Sequence, residues 1–186
     1  MRLDALYEAR LEAKCPACAH SRSSAPEAAP APAASPCRPW LKVERNEAYY
    51  EACMVIAEKI GPIDHSRKAF EVLRAAVGQE DQEVFGALYL DTHNQIRGLA
   101  ETARGEIDSV PAPIVPTLRI AIAEAATSLV VFHTHPTLYA QPSDADVATT
   151  LAFDEACAKV NLLLMDHLII GGQRGYYSFL DHGVLK

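Results

Sequence analysis

The stretch Ser128-Leu-Val-Val-Phe-His-Thr-His-Pro136, followed by Ser143-Asp-Ala-Asp146, decides how this chain is read. Ser128 to Phe132 is a short apolar run with adjacent β-branched valines, the pattern of a buried strand. His133 and His135 leave the end of that strand on one face, because side chains alternate with period two. Pro136 stops the strand. Pro142 and Ser143 then open a helix expected over Asp144 to Lys159. Asp146 falls in its first turn, from where its carboxylate can swing back toward the two imidazoles. Two histidines and an aspartate suit Zn²⁺. Three protein ligands with a position left for water is the catalytic form of a zinc site.

Ser143-x-x-Asp146 also has a plain structural meaning, a helix N-cap with an acidic residue at its third position. The two readings are compatible, since a cap fixes where the helix starts and so where a ligand in its first turn lies. A hydrolytic zinc site further needs a base to take the proton of the attacking water. Glu83 opens a strand expected over Glu83 to Asp91 and is the leading candidate. Glu80, Asp81 and Glu106 compete for the role. A Ser143 hydroxyl facing the metal could donate to the oxyanion of a tetrahedral intermediate.

Working outward, Thr92-His93-Asn94 reads as a turn and Gln95 to Thr102 as a returning strand. Ile114 to Ala126 has helical spacing and leads into the histidine strand. Beyond the Asp146 helix, Val160 to Met165 and His167 to Ile170 are apolar. Gly171-Gly172 turns, and Tyr176 to Phe179 forms a last strand. Upstream, Glu47 to Ile60 reads as a helix ended by Gly61-Pro62. A second follows over His65 to Gly78, capped by Asp64 or Ser66. Helices followed by mixed strands and helices predict an α/β sandwich with a mostly antiparallel sheet.

The first 46 residues read differently. Arg2 to Lys14 has the spacing of a short amphipathic helix. Cys15-Pro16-Ala17-Cys18, with His20 and Cys37, has half the pattern of a zinc knuckle; the plain alternative is a disordered stretch with loose thiols. Ser21 to Pro39, rich in Ala, Pro and Ser, reads as a linker that buries too little apolar surface to offset chain entropy. The expected organisation is a tail over 1–46 and one domain over 47–186.

Composition bounds the function. With 186 residues, 49% of them hydrophobic, the chain can form a sizeable core. A net charge of −7 and no cluster of Lys and Arg argue against strong direct DNA binding. No run approaches the roughly 18 to 20 apolar residues of a membrane span, and the N-terminus lacks an apolar signal core. A cytoplasmic protein is expected. The odd count of five cysteines fits a reducing compartment better than a disulfide framework.

His133-x-His135-Pro136-x6-Ser143-x-x-Asp146, with Glu83 opening an upstream strand, resembles the JAMM signature of the JAB/MPN metallopeptidase superfamily, and most closely its RadC-like branch. Glu83-Val-Phe-Gly-Ala-Leu-Tyr-Leu-Asp91 with Asn94 resembles that branch's first strand and turn. Asp166-His-Leu-Ile-Ile-Gly171, then Tyr177-Ser-Phe179 and Gly183-Val-Leu185, resemble its C-terminal end. The resemblance covers about Glu47 to Lys186. It implies a cytidine-deaminase-like α/β/α sandwich, zinc on His133, His135 and Asp146, Glu83 as general acid/base, and Ser143 as the residue that steadies the intermediate. It also implies hydrolysis of a peptide or isopeptide bond in a peptide or protein substrate. Two departures stand out. Thr134 replaces the usual Asn between the histidines, and Thr137-Leu138 replaces the usual Ser-Gly. No counterpart of the branch's helix-hairpin-helix region is visible, and the oligomeric state is not written in the sequence.

A zinc-dependent hydrolase is therefore the leading expectation. The alternative is a non-enzymatic protein- or DNA-interaction module of JAMM fold, linked to DNA repair or mobile elements. A deaminase needs a Pro-Cys-x-x-Cys pair after its His-x-Glu. Cys15-Pro16-Ala17-Cys18 lies far upstream in the wrong order, which discounts that reading.

Overall fold

The computed structural model describes residues 47–78, 80–105, 113–135, 139–172 and 175–186, with side chains from residue 54 onward. The expected N-terminal helix, the Cys15/Cys18/His20/Cys37 cluster, the linker, Glu106, and Pro136 to Leu138 lie outside these residues. The described elements run α1 (Glu47–Ile60), α2 (Ser66–Val77), β1 (Val84–Leu90), β2 (Ile96–Arg104), α3 (Ile114–Ala123), β3 (Ser128–Thr134), α4 (Asp144–Lys159), β4 (Leu163–Gly171) and β5 (Gly175–Ser178).

The strands form one sheet in the order β2-β1-β3-β4-β5. β1 is antiparallel to both β2 and β3, and β4 is antiparallel to β5. Only β3 and β4 are parallel, as their connection through the intervening α4 requires. The sheet is mixed and mostly antiparallel, in an α/β sandwich, as the element order predicted.

Both faces of the central strands are buried, so β1 and β3 read as continuous apolar runs rather than as alternating ones. One face takes Val84, Leu88, Leu90, Val130, Phe132, Leu168 and Ile170 against Phe70 and Leu73 of α2. The other takes Phe85, Ala87, Tyr89, Leu129, Val131 and Ile169 against Phe153 and Cys157 of α4. Each large side chain so enclosed contributes about 1.5–3 kcal/mol. Gly86 faces Phe132 across the β1–β3 pair. A Cβ there would overlap the Ala100 carbonyl oxygen and come within 2.6 Å of Phe132 Cζ, so glycine is what lets the ring lie flat on the strand.

Several element ends differ from the sequence reading. The N-cap of α2 is His65, whose Nδ1 accepts from Lys68 N–H, rather than Asp64 or Ser66. Asp64 instead pairs with Lys68 Nζ at 2.9 Å, and Ser66 Oγ donates to Asp181. α3 stops at Ala123, three residues early. Ala125 adopts φ 50°, and Ala126 N–H returns to the Ala121 carbonyl, turning the chain into β3 despite the helix propensity of alanine. β2 runs two residues further, to Arg104, because Val84 and Phe85 offer ladder partners. Of the two apolar runs expected after α4, Leu163 to Met165 and His167 to Ile170 belong to one strand, β4, which also includes Asp166, while Val160 to Leu162 form the turn before it. Asp166 is buried with Ser178 Oγ and the amides of His167 and Leu180 donating to it. Burial pushes its carboxyl above the usual range, although these donors and their hydrogen bonds act the other way.

Candidate metal centre

The site forms where β3 ends and α4 begins, at the carboxyl end of the parallel β3–β4 pair. Loops diverge at such ends of parallel strands and leave a crevice. Period-two alternation sends His133 and His135 to the α4 side of the sheet, with Val131 and Leu129. The Phe85 ring lies parallel to the His133 ring at 6.1 Å and stacks on Phe153 of α4 at 5.4 Å, which confirms that side.

Ser143 caps α4 in a full capping box. Its Oγ accepts from Asp146 N–H, and the Asp146 carboxylate accepts from Ser143 N–H at 2.8 Å. The cap does not use up the carboxylate. Asp146 Oδ2 takes the two Ser143 donors, while Oδ1 faces His133 Nε2 at 3.1 Å. His135 Nε2 lies 3.9 Å from Oδ2 and 3.0 Å from His133 Nε2. The three candidate ligand atoms all fall within 4.8 Å of one another, and they make the one such cluster among the described residues. Burial raises the Asp146 carboxyl, but the hydrogen bond and charge of His133 in its protonated form, with the Ser143 donors, outweigh it and hold the group well below the usual carboxylate range.

The positions of the protons test whether this cluster suits a cation. His135 Nδ1 lies 2.9 Å from the Tyr139 carbonyl, which can only accept, so Nδ1 carries the proton and Nε2 offers a lone pair. On His133, Nδ1 meets Nε2 of His167 at 2.9 Å. With that contact donated by His133, its Nε2 also offers a lone pair. Two imidazole lone pairs and a carboxylate oxygen then converge without a proton among them. A divalent cation satisfies all three at once, and the donor set fits one. The N-terminus of α4 carries the positive end of the helix dipole, which Asp144 and Asp146 in its first turn offset.

Glu83 immediately precedes β1. Phe85 pairs with His133, so the same antiparallel register extended by two residues sets Glu83 opposite His135 and on the same side of the sheet. Its backbone is held on both sides. Thr134 Oγ1 donates to the Gln82 carbonyl at 3.1 Å and accepts from Val84 N–H at 2.9 Å. Of the competing carboxylates, Glu80 is engaged by Arg104 Nη1 at 2.6 Å, and Asp81 is exposed. The Ser143 hydroxyl is exposed too, and its proton is directed to Asp146 Oδ2 at 2.7 Å.

Sequence reading passed over two residues that touch this centre, His167 and Thr150. His167 is fully buried on β4, and Thr150 is fully buried one turn beyond Asp146. Their contact is 2.6 Å. Burial, and after it repulsion from His133 whenever that ring is protonated, pushes the His167 imidazole well below its ordinary value. The signals were present. A histidine interrupting a buried apolar strand needs a partner, and a threonine four residues after Asp146 shares its helix face.

Comparison with known proteins identifies the family. A family model described as RadC-like JAB domain matches residues 63–184, a span that contains every element from α2 to β5 and every residue of the cluster. A UPF0758 protein of Streptococcus suis is 39% identical over 105 residues, covering 56% of this chain and 42% of its own length. A UPF0758 protein of Coxiella burnetii is 31% identical over 128 residues, covering 69% of this chain and 57% of its own. One from Flavobacterium johnsoniae is 29% identical over 126 residues, covering 68% and 55%. The chain thus spans about half the length of these relatives. No described helix is long and apolar enough to cross a membrane. The match to residues 63–184, together with these relatives, shows that the chain belongs to the RadC-like JAB domain family.

Proposed function

We propose that this chain is a zinc-dependent hydrolase that cleaves a peptide or isopeptide bond in a peptide or protein substrate. The observation that carries the reading is the convergence of His133 Nε2, His135 Nε2 and an Asp146 carboxylate oxygen within 4.8 Å. These three residues would hold the ion. When bound, zinc supplies Lewis acidity, enough to lower the pKa of a water in its open position to about 7.

The remaining work belongs to the chain. Glu83, on the same side of the sheet, takes the proton of the attacking water and delivers it to the departing amine. The Thr134 bridge on either side of Glu83 limits how far its backbone moves during that transfer. Ser143 contributes first through the cap that fixes Asp146. For its hydroxyl to reach an oxyanion, it must turn away from Asp146 Oδ2. Phe85 and Phe153 wall the apolar side of His133 and exclude water from behind it.

Elemental analysis of the purified full chain is expected to give one zinc per molecule, lost in His133→Ala. Glu83→Gln is expected to keep the zinc and lose hydrolysis of a peptide and isopeptide substrate panel by at least ~100-fold. A wild-type protein that takes up no zinc would sink the proposal. A Glu83→Gln variant that cleaves at the wild-type rate would remove Glu83 from the base role.

A further inference from the structure

We propose that His167 and Thr150 form a positioning pair that fixes which nitrogen of His133 is free to bind a cation. The inference rests on the metal-site reading above and adds two residues to it.

The argument begins from a hydroxyl with a single proton. Thr150 Oγ1 lies 2.7 Å from the Asp146 backbone carbonyl, which has no proton to give, so Thr150 donates there. At its 2.6 Å contact with His167 Nδ1 the hydroxyl must then accept, and Nδ1 carries hydrogen. His167 has 0% exposure and lies between the rings of Phe179, stacked at 4.7 Å, and Phe85, tilted at 5.8 Å. In that apolar slot the imidazole is neutral and holds one proton, already placed on Nδ1. Its Nε2 is therefore an acceptor, and the 2.9 Å contact with His133 Nδ1 is donated by His133. The His133 lone pair is left on Nε2, the atom that faces His135 and Asp146.

Hydrogen bonds lead from the Asp146 carbonyl through Thr150 and His167 to His133, whose Nε2 lone pair then faces the Asp146 carboxylate at 3.1 Å, the gap a cation would close. The strand that supplies one ligand and the helix that supplies another are thereby held in a single arrangement. Partners of this kind fix ring orientation and tautomer of a ligating histidine, and losing one weakens metal binding by about 10–100-fold.

The test uses the full chain in three variants. Thr150→Val keeps shape and removes the hydroxyl, Thr150→Ser keeps the hydroxyl, and His167→Phe keeps an aromatic ring and removes both nitrogens. Zinc affinity is measured by chelator competition. Long-range ¹H–¹⁵N spectra of the imidazoles report the tautomers, and thermal unfolding of the metal-free proteins controls for folding. Thr150→Val and His167→Phe are expected to weaken zinc about 10–100-fold, with His133 losing its single Nδ1–H signature. Thr150→Ser should restore both. Wild-type affinity and an unchanged His133 signature in Thr150→Val and His167→Phe would overturn the proposal. A wild-type protein that binds no zinc would remove the hydrolase reading instead. In that case the metal-free spectrum still decides the pair, supporting it if His167 is protonated on Nδ1 and rejecting it if on Nε2.

Discussion

The sheet face under α1 and α2 and the face under α3 and α4 are made from alternate residues of the same strands. Val130, Phe132, Leu168 and Ile170 point one way, and Val131, His133, His167 and Ile169 the other. The first face is an apolar layer along the middle of the sheet. The second begins as one and, toward the carboxyl end of β3, gives way to imidazoles and a hydroxyl. His133, His167 and Thr150 are each paired there, which is the condition for burying them. The strand pleat thus separates two tasks that a single layer would mix. One side anchors the strands, and the other can hold polar chemistry without loosening them.

Substitutions that act on one face only can break or sharpen this contrast. The largest effect is expected from Leu168→Ala on the apolar face, a loss of about 2–5 kcal/mol in denaturant unfolding. The zinc bound per folded molecule should stay the same. A coupled loss of zinc would show that the two faces do not act separately. Next, zinc at a hundred times its dissociation constant is expected to stabilise the wild-type chain by about 2.7 kcal/mol in the same assay. Leu168→Ala should keep that increment and Asp146→Asn should lose it. Gly86→Ala, which pushes a methyl into Phe132 and the Ala100 carbonyl, is expected to cost about 1–3 kcal/mol with zinc uptake unchanged. The gentlest probe leaves stability alone. Burial, with the Asp154 charge adding to it, pushes the Cys157 thiol up to about 11. Its thiolate is then about a hundredfold scarcer at pH 8 than for an ordinary thiol. Mass spectrometry should find Cys157 unalkylated in the native chain and modified only on unfolding.

The division between the faces also explains which parts were legible beforehand. Helices α1 and α4 have their expected bounds, because Gly61-Pro62 and the Ser143 cap are local signals. The cluster of His133, His135 and Asp146 was legible because strand period and cap position are also local rules. His65 as a cap was not, because the neighbouring Ser66 is drawn to Asp181, 115 residues away; nor were the early end of α3, set by the turn into β3, and the extra length of β2, set by its pairing with β1. The same holds for His167 and Thr150. One lies 34 residues from His133, and only the β3–β4 register brings the two rings together.

Thr134, the residue between the two histidines, lies by the alternation of the strand on the face opposite theirs. Its hydroxyl instead takes the place of a missing ladder rung, giving to the Gln82 carbonyl and receiving from the Val84 amide. Asparagine, which the resemblance leads one to expect at this place, offers the same pair of functions through its amide oxygen and nitrogen. Exchange between the two preserves one donor and one acceptor on the same side chain. Valine would fill the same space and offer neither. A motif commonly read for its metal ligands therefore also specifies, through its middle letter, how the opposite strand is held at the carboxylate.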